Sequence, residues 1–154
     1  MRRSKDATCR SASINEGVKS AFACEPARVA RYTLISEYIQ RALQEDIGTG
    51  DVTTDTIVPA GATLRGQIVA KQDGVVAGLD VAKHVFLTLN QRVTFTAKTE
   101  DGSKVARRDV LADVEGPARA LLTGERIALN FLGRMSGIAT LTRKFVDAVA
   151  GTNA

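Results

Sequence analysis

The sequence predicts an α+β fold, an antiparallel sheet with helices on one face. Three observations carry that expectation. Alternating apolar and polar residues run through 62–71, 93–98 and 105–114, and short turns rather than long crossovers connect these segments. Helical periodicity brackets them, at 34–43 on one side and from Pro117 onward on the other. The 154 residues are 44% hydrophobic and 25% charged, the balance of an ordinary soluble globular chain, and no apolar run reaches the length of a membrane span.

Residues 1–31 show no sustained period and are expected to form a disordered leader. They hold seven basic and three acidic residues, leaving 14 of each in the remainder. The net charge of +4 therefore belongs to the leader, and no clustered Lys/Arg with interleaved aromatics marks a nucleic-acid surface on the body. Cys9 and Cys24 also lie in the leader, with no CxxC spacing or histidine partner, and are expected to be free thiols.

Structure is expected to start near Thr33, a fair N-cap. Leu34, Ile35, Tyr38, Ile39, Ala42 and Leu43 then form one helical face, which ends at Gly48. Gly48 to Asp55 reads as a polar structural loop: it lacks the P-loop lysine, lacks the EF-hand ligand pattern and is not expected to open a helix. In the strand 62–71, Leu64, Gly66, Ile68 and Ala70 share a face, and Asp73-Gly74 reads as the turn of a hairpin into Val75-Val76-Ala77. Asp80 is expected to cap a helix whose apolar face is Val81, Ala82, Val85, Phe86 and Leu89. His84, off that face, reads as a surface residue rather than a base. Val93, Phe95 and Ala97 mark the next strand, Asp101-Gly102 a turn, and Arg107-Arg108-Asp109 the corner within 105–114, where Asp109 tolerates turn geometry less easily than a glycine would.

The stretch from Glu115 to Gly151 reads as a long helix, a break at Ser136-Gly137, and a second helix, with Pro117 in the first turn. On a helical wheel Ala118, Leu121, Leu122, Leu129 and Leu132 form one side, and Ala120, Ile127, Ala128, Phe131 and Met135 extend it. The helix is therefore expected to be mostly buried, with Glu125 pointing into the apolar arc. The remaining polar strip holds Arg119, Thr123, Arg126, Asn130 and Arg134. Arginines there suit an anion, because guanidinium offers two parallel N–H donors and stays charged. A solvated basic face, or pairing with acids from elsewhere in the fold, fits the same spacing.

GPARALLTGERIALNFLGRMSGIATLTRKFVDAV resembles the helical core segment of the quinolinate phosphoribosyltransferases, also called carboxylating nicotinate-nucleotide pyrophosphorylases, and ALQEDIGTGDVTTD resembles that family's N-terminal signature. The similarity runs from about Tyr32 to the end. It implies a leader (1–31), an N-terminal α+β sandwich (32–116), and a helix pair (117–154) leading into a truncated α/β barrel whose remainder is expected beyond Ala154. The implied enzyme is a glycosyltransferase of the pentosyltransferase kind. It forms nicotinate mononucleotide, CO₂ and pyrophosphate from quinolinate and phosphoribosyl pyrophosphate, with Mg²⁺, in NAD biosynthesis. The resemblance makes Arg126, in Gly124-Glu125-Arg126, a substrate ligand reaching a neighbouring subunit's active site. Arg119, Asn130 and Arg134 are secondary candidates. Catalytic residues and metal ligands are expected in the barrel and none in this chain, which is therefore expected to be inactive by itself. A cytoplasmic homodimer with a shared site follows as an expectation, with neither nucleic acid nor membrane as partner. Two rival readings are a molybdenum-transport-associated paralogue of the same fold and a non-catalytic interaction module.

Overall fold

The computed structural model describes residues 25–48 and 52–152. Cys9, Cys24, Thr49, Gly50, Asp51, Asn153 and Ala154 lie outside the described residues. Helix α1 spans Glu25–Ile47, so residues 25–31 are helical rather than disordered, and the start lies well before Thr33. Pro26 in the first turn and the run of alanines and arginines after it favour that earlier start. Gly48 follows at φ +55°, and its N–H reaches the Gln44 carbonyl at 3.1 Å, closing the helix C-terminally. A short helix α2, Val52–Ile57, replaces part of the expected loop. Its β-branched residues have little helical preference of their own, and contact with the long C-terminal helix compensates.

Strands β1 (Thr63–Val69), β3 (Thr94–Ala97) and β5 (Val110–Pro117) form an antiparallel sheet in the order β1-β5-β3. The register runs from Thr63 opposite Pro117 to Ile68 opposite Ala112, with a shift between Ile68 and Val69. Because side chains alternate, Ile68, Ala112 and Val114 enter the core while Arg65, Gln67 and Glu115 stay exposed on the other face. β2 (Gly74–Val75) does not form the expected hairpin with β1. It pairs with β4 (Lys104–Val105), and the Asp73 carboxylate instead accepts the Arg107 N–H at 2.7 Å. A Cβ on Gly74 would stand 2.7 Å from the Thr140 hydroxyl, so this glycine makes room for a helix rather than for a tight turn.

Helix α3 spans Leu79–Leu89 and buries Val81, Ala82, Val85 and Phe86, as its periodicity predicts. Its cap is not Asp80. The N-cap is Gly78 at φ +98°, and Asp101, on the turn before β4, accepts the N–H groups of Gly78 and Leu79 at 2.9 and 3.0 Å. His84 is half-buried rather than a plain surface residue, and its Nε2 lies 2.9 Å from the Ser36 hydroxyl, tying α3 to α1.

Helix α4 is one element, Ala118–Val149, with no break at Ser136-Gly137. Glycine weakens a helix interior by about 1 kcal/mol, but here Ser136 does not turn on its own backbone. Its hydroxyl accepts the Ala77 N–H (3.0 Å) and donates to the Ala77 carbonyl (3.2 Å). Pro117 stands at the N-cap rather than in the first turn because β5 pairs right up to it, and the Ala118 N–H goes to the Ala62 carbonyl at 2.9 Å. The core joins Ile39 and Leu43 of α1, Val85 and Phe86 of α3, the inner sheet face, and Leu121, Ile127, Ala128 and Leu132 of α4. Helix α4 is less buried than its wheel implies. Leu122 is exposed, and so are Glu125 and Leu129, which line a cleft instead of packing against the sheet.

Two expectations follow. In the corner before β5 the left-handed residue is Arg108, at φ +79°, and not Asp109, whose carboxylate accepts the Ala106 N–H at 2.7 Å. Since left-handed backbone costs a non-glycine residue roughly 1–2 kcal/mol, Arg108→Gly should raise the chemical-denaturation stability by about 1 kcal/mol; an unchanged or lower midpoint contradicts this. On the exposed sheet face Asp113 is held below the usual aspartate range by the side-chain hydrogen bond from Gln67 (2.8 Å) and then by Lys98 (2.9 Å). A depressed folded pKa contributes stability above the unfolded value, about 3.9, and loses it as pH falls through the folded value. A carboxyl titration by NMR should place Asp113 below that value, and Gln67→Leu should move it upward.

Candidate functional site

The polar strip of α4 resolves into residues in different situations. Arg119 is half-buried, and its Nε donates to the Val58 carbonyl just beyond α2 at 2.9 Å. This contact ties the first turn of α4 to the segment leading into β1. Thr123 is half-buried. Asn130 and Arg134 are exposed. Arg126 is the most specific of the set: its Nη1 lies 2.9 Å from Oδ1 of Asp46, with 72% of the arginine side chain and 33% of the aspartate side chain exposed. Four residues of the strip thus share one outward side of α4, while Arg119 is turned toward the body of the domain.

Local packing sets where Arg126 stands. Gly124 is buried where α4 crosses α3, and a Cβ there would meet Leu89 Cδ1 at 2.8 Å and Phe86 Cδ1 at 3.1 Å. The close approach needs glycine, and it fixes the turn that carries Glu125 and Arg126. Asp46 is placed from the other side by the end of α1 at Gly48. The last turn of α1 has no basic residue of its own, so the negative end of that helix and Asp46 together favour a cation supplied by α4.

The second feature is a cleft of about 620 Å³ between α4 and the β1–β2 segment. Ile68, Val76, Leu121, Leu129 and Leu132 make its walls, and Lys71, Asp73 and Glu125 are polar members of its lining. Ser136 and Thr140 bound it where α4 meets β2, and the Thr140 hydroxyl accepts the Val75 N–H at 2.8 Å. Sequence reasoning missed the cleft and missed Asp46 as the partner of Arg126, because the pairing joins positions far apart in the chain. Among the described residues, no group of three or more His, Cys, Asp or Glu side chains could hold a metal ion. No described helix is long and apolar enough to cross a membrane.

Because Arg119 joins α4 to the segment after α2, Arg119→Met should act on stability first. Charge-assisted hydrogen bonds contribute roughly 1.5–3 kcal/mol when buried, so a loss of about 1–2 kcal/mol is expected at this half-buried site. Unchanged denaturant stability of the variant contradicts that assignment.

Comparison with known proteins identifies the family of the domain as a whole. A family model described as the quinolinate phosphoribosyl transferase N-terminal domain matches residues 51–136. Over 121 residues the chain is 46% identical to the carboxylating nicotinate-nucleotide pyrophosphorylase of Mycobacterium leprae, covering 75% of this chain and 42% of that protein. It is 36% identical over 139 residues to the decarboxylating quinolinate phosphoribosyltransferase 1b of Nicotiana tabacum, covering 90% of this chain and 39% of that protein. The crystal structure of NadC from Streptococcus pyogenes superimposes with a TM-score of 0.75 at 35% identity, covering 78% of this chain and 43% of that one. The chain therefore spans about two fifths of the length of these relatives. With more than half of its residues matched by the family model, the chain belongs to the quinolinate phosphoribosyl transferase family, of which it carries the N-terminal domain.

Proposed function

We propose that this chain is the N-terminal part of an enzyme that makes nicotinate mononucleotide, CO₂ and pyrophosphate from quinolinate and phosphoribosyl pyrophosphate, and that its contribution is Arg126. The observation that carries this reading is the exposed Arg126 guanidinium, joined among the described residues to Asp46 through Nη1. An arginine fork has two edges, and the edge made by Nε and Nη2 remains available for a carboxylate. Quinolinate carries two adjacent carboxylates, so a bidentate cation suits it better than a lysine point charge. Asn130 and Arg134, on the same exposed side, extend the polar surface; Arg119 belongs to it less because its Nε is bonded to Val58.

A homodimer in which α4 carries Arg126 into a neighbouring subunit's site fits a second feature. Ile138, Leu141, Phe145, Val146 and Val149, on the distal part of α4, are all more than half exposed. This row, rather than Leu121, Ile127 and Leu132, which are buried within the domain, is the apolar surface that needs a cover. The same row favours the second reading, a non-catalytic module that docks on another subunit. Mg²⁺ belongs to the proposed reaction through the pyrophosphate cosubstrate. The described residues do not fit it, since among them no group of three or more His, Cys, Asp or Glu side chains could hold a metal ion. A cytoplasmic setting is part of the same proposal.

The experiment is a quinolinate titration of the 154-residue chain followed on the arginine side-chain Nε–Hε signals. The Arg126 signal should shift at millimolar quinolinate, and in Arg126→Ala the quinolinate-dependent shifts of the neighbouring α4 backbone amides should vanish while the rest of the amide spectrum stays unchanged. Shifts spread evenly over all exposed arginines would remove the substrate reading and leave the docking module. Supplied with quinolinate, phosphoribosyl pyrophosphate and Mg²⁺, the polypeptide of residues 1–154 by itself should give no turnover.

A further inference from the structure

We propose that Asp46 is a positioning residue for Arg126: it holds one edge of the guanidinium so that the other edge faces an anionic ligand carrying a carboxylate. The inference rests on the reading of Arg126 as a quinolinate contact, and it assigns a role to a segment that this reading leaves unused. The stretch around Glu45, Asp46, Ile47 and Gly48 ends α1, and its acids have no catalytic part in the proposed function.

Four observations place the pair. Asp46 and Arg126 come from different helices and meet at 2.9 Å through single atoms, Oδ1 and Nη1. Both helix positions are fixed locally, α1 by its closure at Gly48 and α4 by the crossing of α3 at Gly124. The last turn of α1 carries no basic residue, so the arginine from α4 is the cation at that helix end. The arginine is also 72% exposed, and a long exposed side chain with nothing to hold it samples many rotamers. Tethering one edge removes much of that freedom before the ligand arrives, which favours binding through pre-organisation. The opposing effect is repulsion between the Asp46 carboxylate and the ligand's carboxylates, which solvent screens at so exposed a site.

Asparagine separates the two effects, because it keeps an oxygen acceptor for Nη1 and removes the charge. The test uses the 154-residue chain as wild type, Asp46→Ala and Asp46→Asn, with backbone amide spectra establishing that α1 and α4 are intact in each. Side-chain relaxation of Arg126 Nε–Hε without ligand should show an ordered guanidinium in wild type and a mobile one in Asp46→Ala. In the quinolinate titration, Asp46→Ala should weaken the response at Arg126 about five-fold, the size an exposed ion pair supports, and Asp46→Asn should largely restore it. Tighter binding by both variants overturns the proposal, since Asp46 would then be a competitor. A guanidinium equally mobile in wild type and Asp46→Ala overturns the positioning but not the substrate reading. No quinolinate shift in any of the three proteins, with Arg126 still ordered by Asp46, overturns the substrate reading and upholds the positioning.

Discussion

The free edge of strand β2 is the constraint from which much of the remaining geometry follows. β2 has two residues and pairs on one side with β4, so its other edge needs partners for backbone groups close to the core. Helix α4 supplies them with hydroxyls. Thr140 binds both the N–H and the carbonyl of Val75, and Ser136 does the same for Ala77. A helix that carries these bonds in mid-length cannot break there. It also forces small residues opposite, since a Cβ on Gly74 would strike Thr140 and one on Gly78 would strike Met135. The cleft between α4 and the β1–β2 segment opens beside this seam, and Glu125 and Leu129, both exposed, line it.

The same rigid helix explains how a surface arginine can be placed with precision. Gly124 lets α4 press on Phe86 and Leu89 of α3, and Arg119 fastens its first turn to Val58. Arg126 lies between these anchors and the β2 seam, so its Cα is held from both directions. What packing leaves undetermined is the direction of the guanidinium, and there the end of α1 enters. The two stretches that carry the family resemblance, far apart in the chain, meet at the contact between Asp46 and Arg126. Folding thus makes one electrostatic unit out of two motifs.

The strands and the apolar faces were legible because alternation and helical period report directly on burial. Ile68, Val114, Val85 and Phe86 all lie where their patterns place them. Long-range pairings left no such local trace. Asp73-Gly74 carries a turn signal, yet β2 seeks β4, and the cap of α3 comes from Asp101 while Asp80 merely precedes the buried face. The break read at Ser136-Gly137 failed for the same reason: the propensities of serine and glycine say nothing about a hydroxyl finding a strand edge. At the site, Arg126 could be singled out from its strip, but Asp46 could not be matched to it, and Glu125 was placed inward by a wheel that assumes a uniformly packed arc.

The most direct measurement is a crystal structure of the chain grown with millimolar quinolinate. One quinolinate carboxylate should lie within about 2.7–2.9 Å of the Nε and Nη2 edge of Arg126, with Nη1 still on Asp46. Quinolinate bound elsewhere on the domain, or an Arg126 that leaves Asp46 to reach it, would contradict the role given to the Asp46–Arg126 pair.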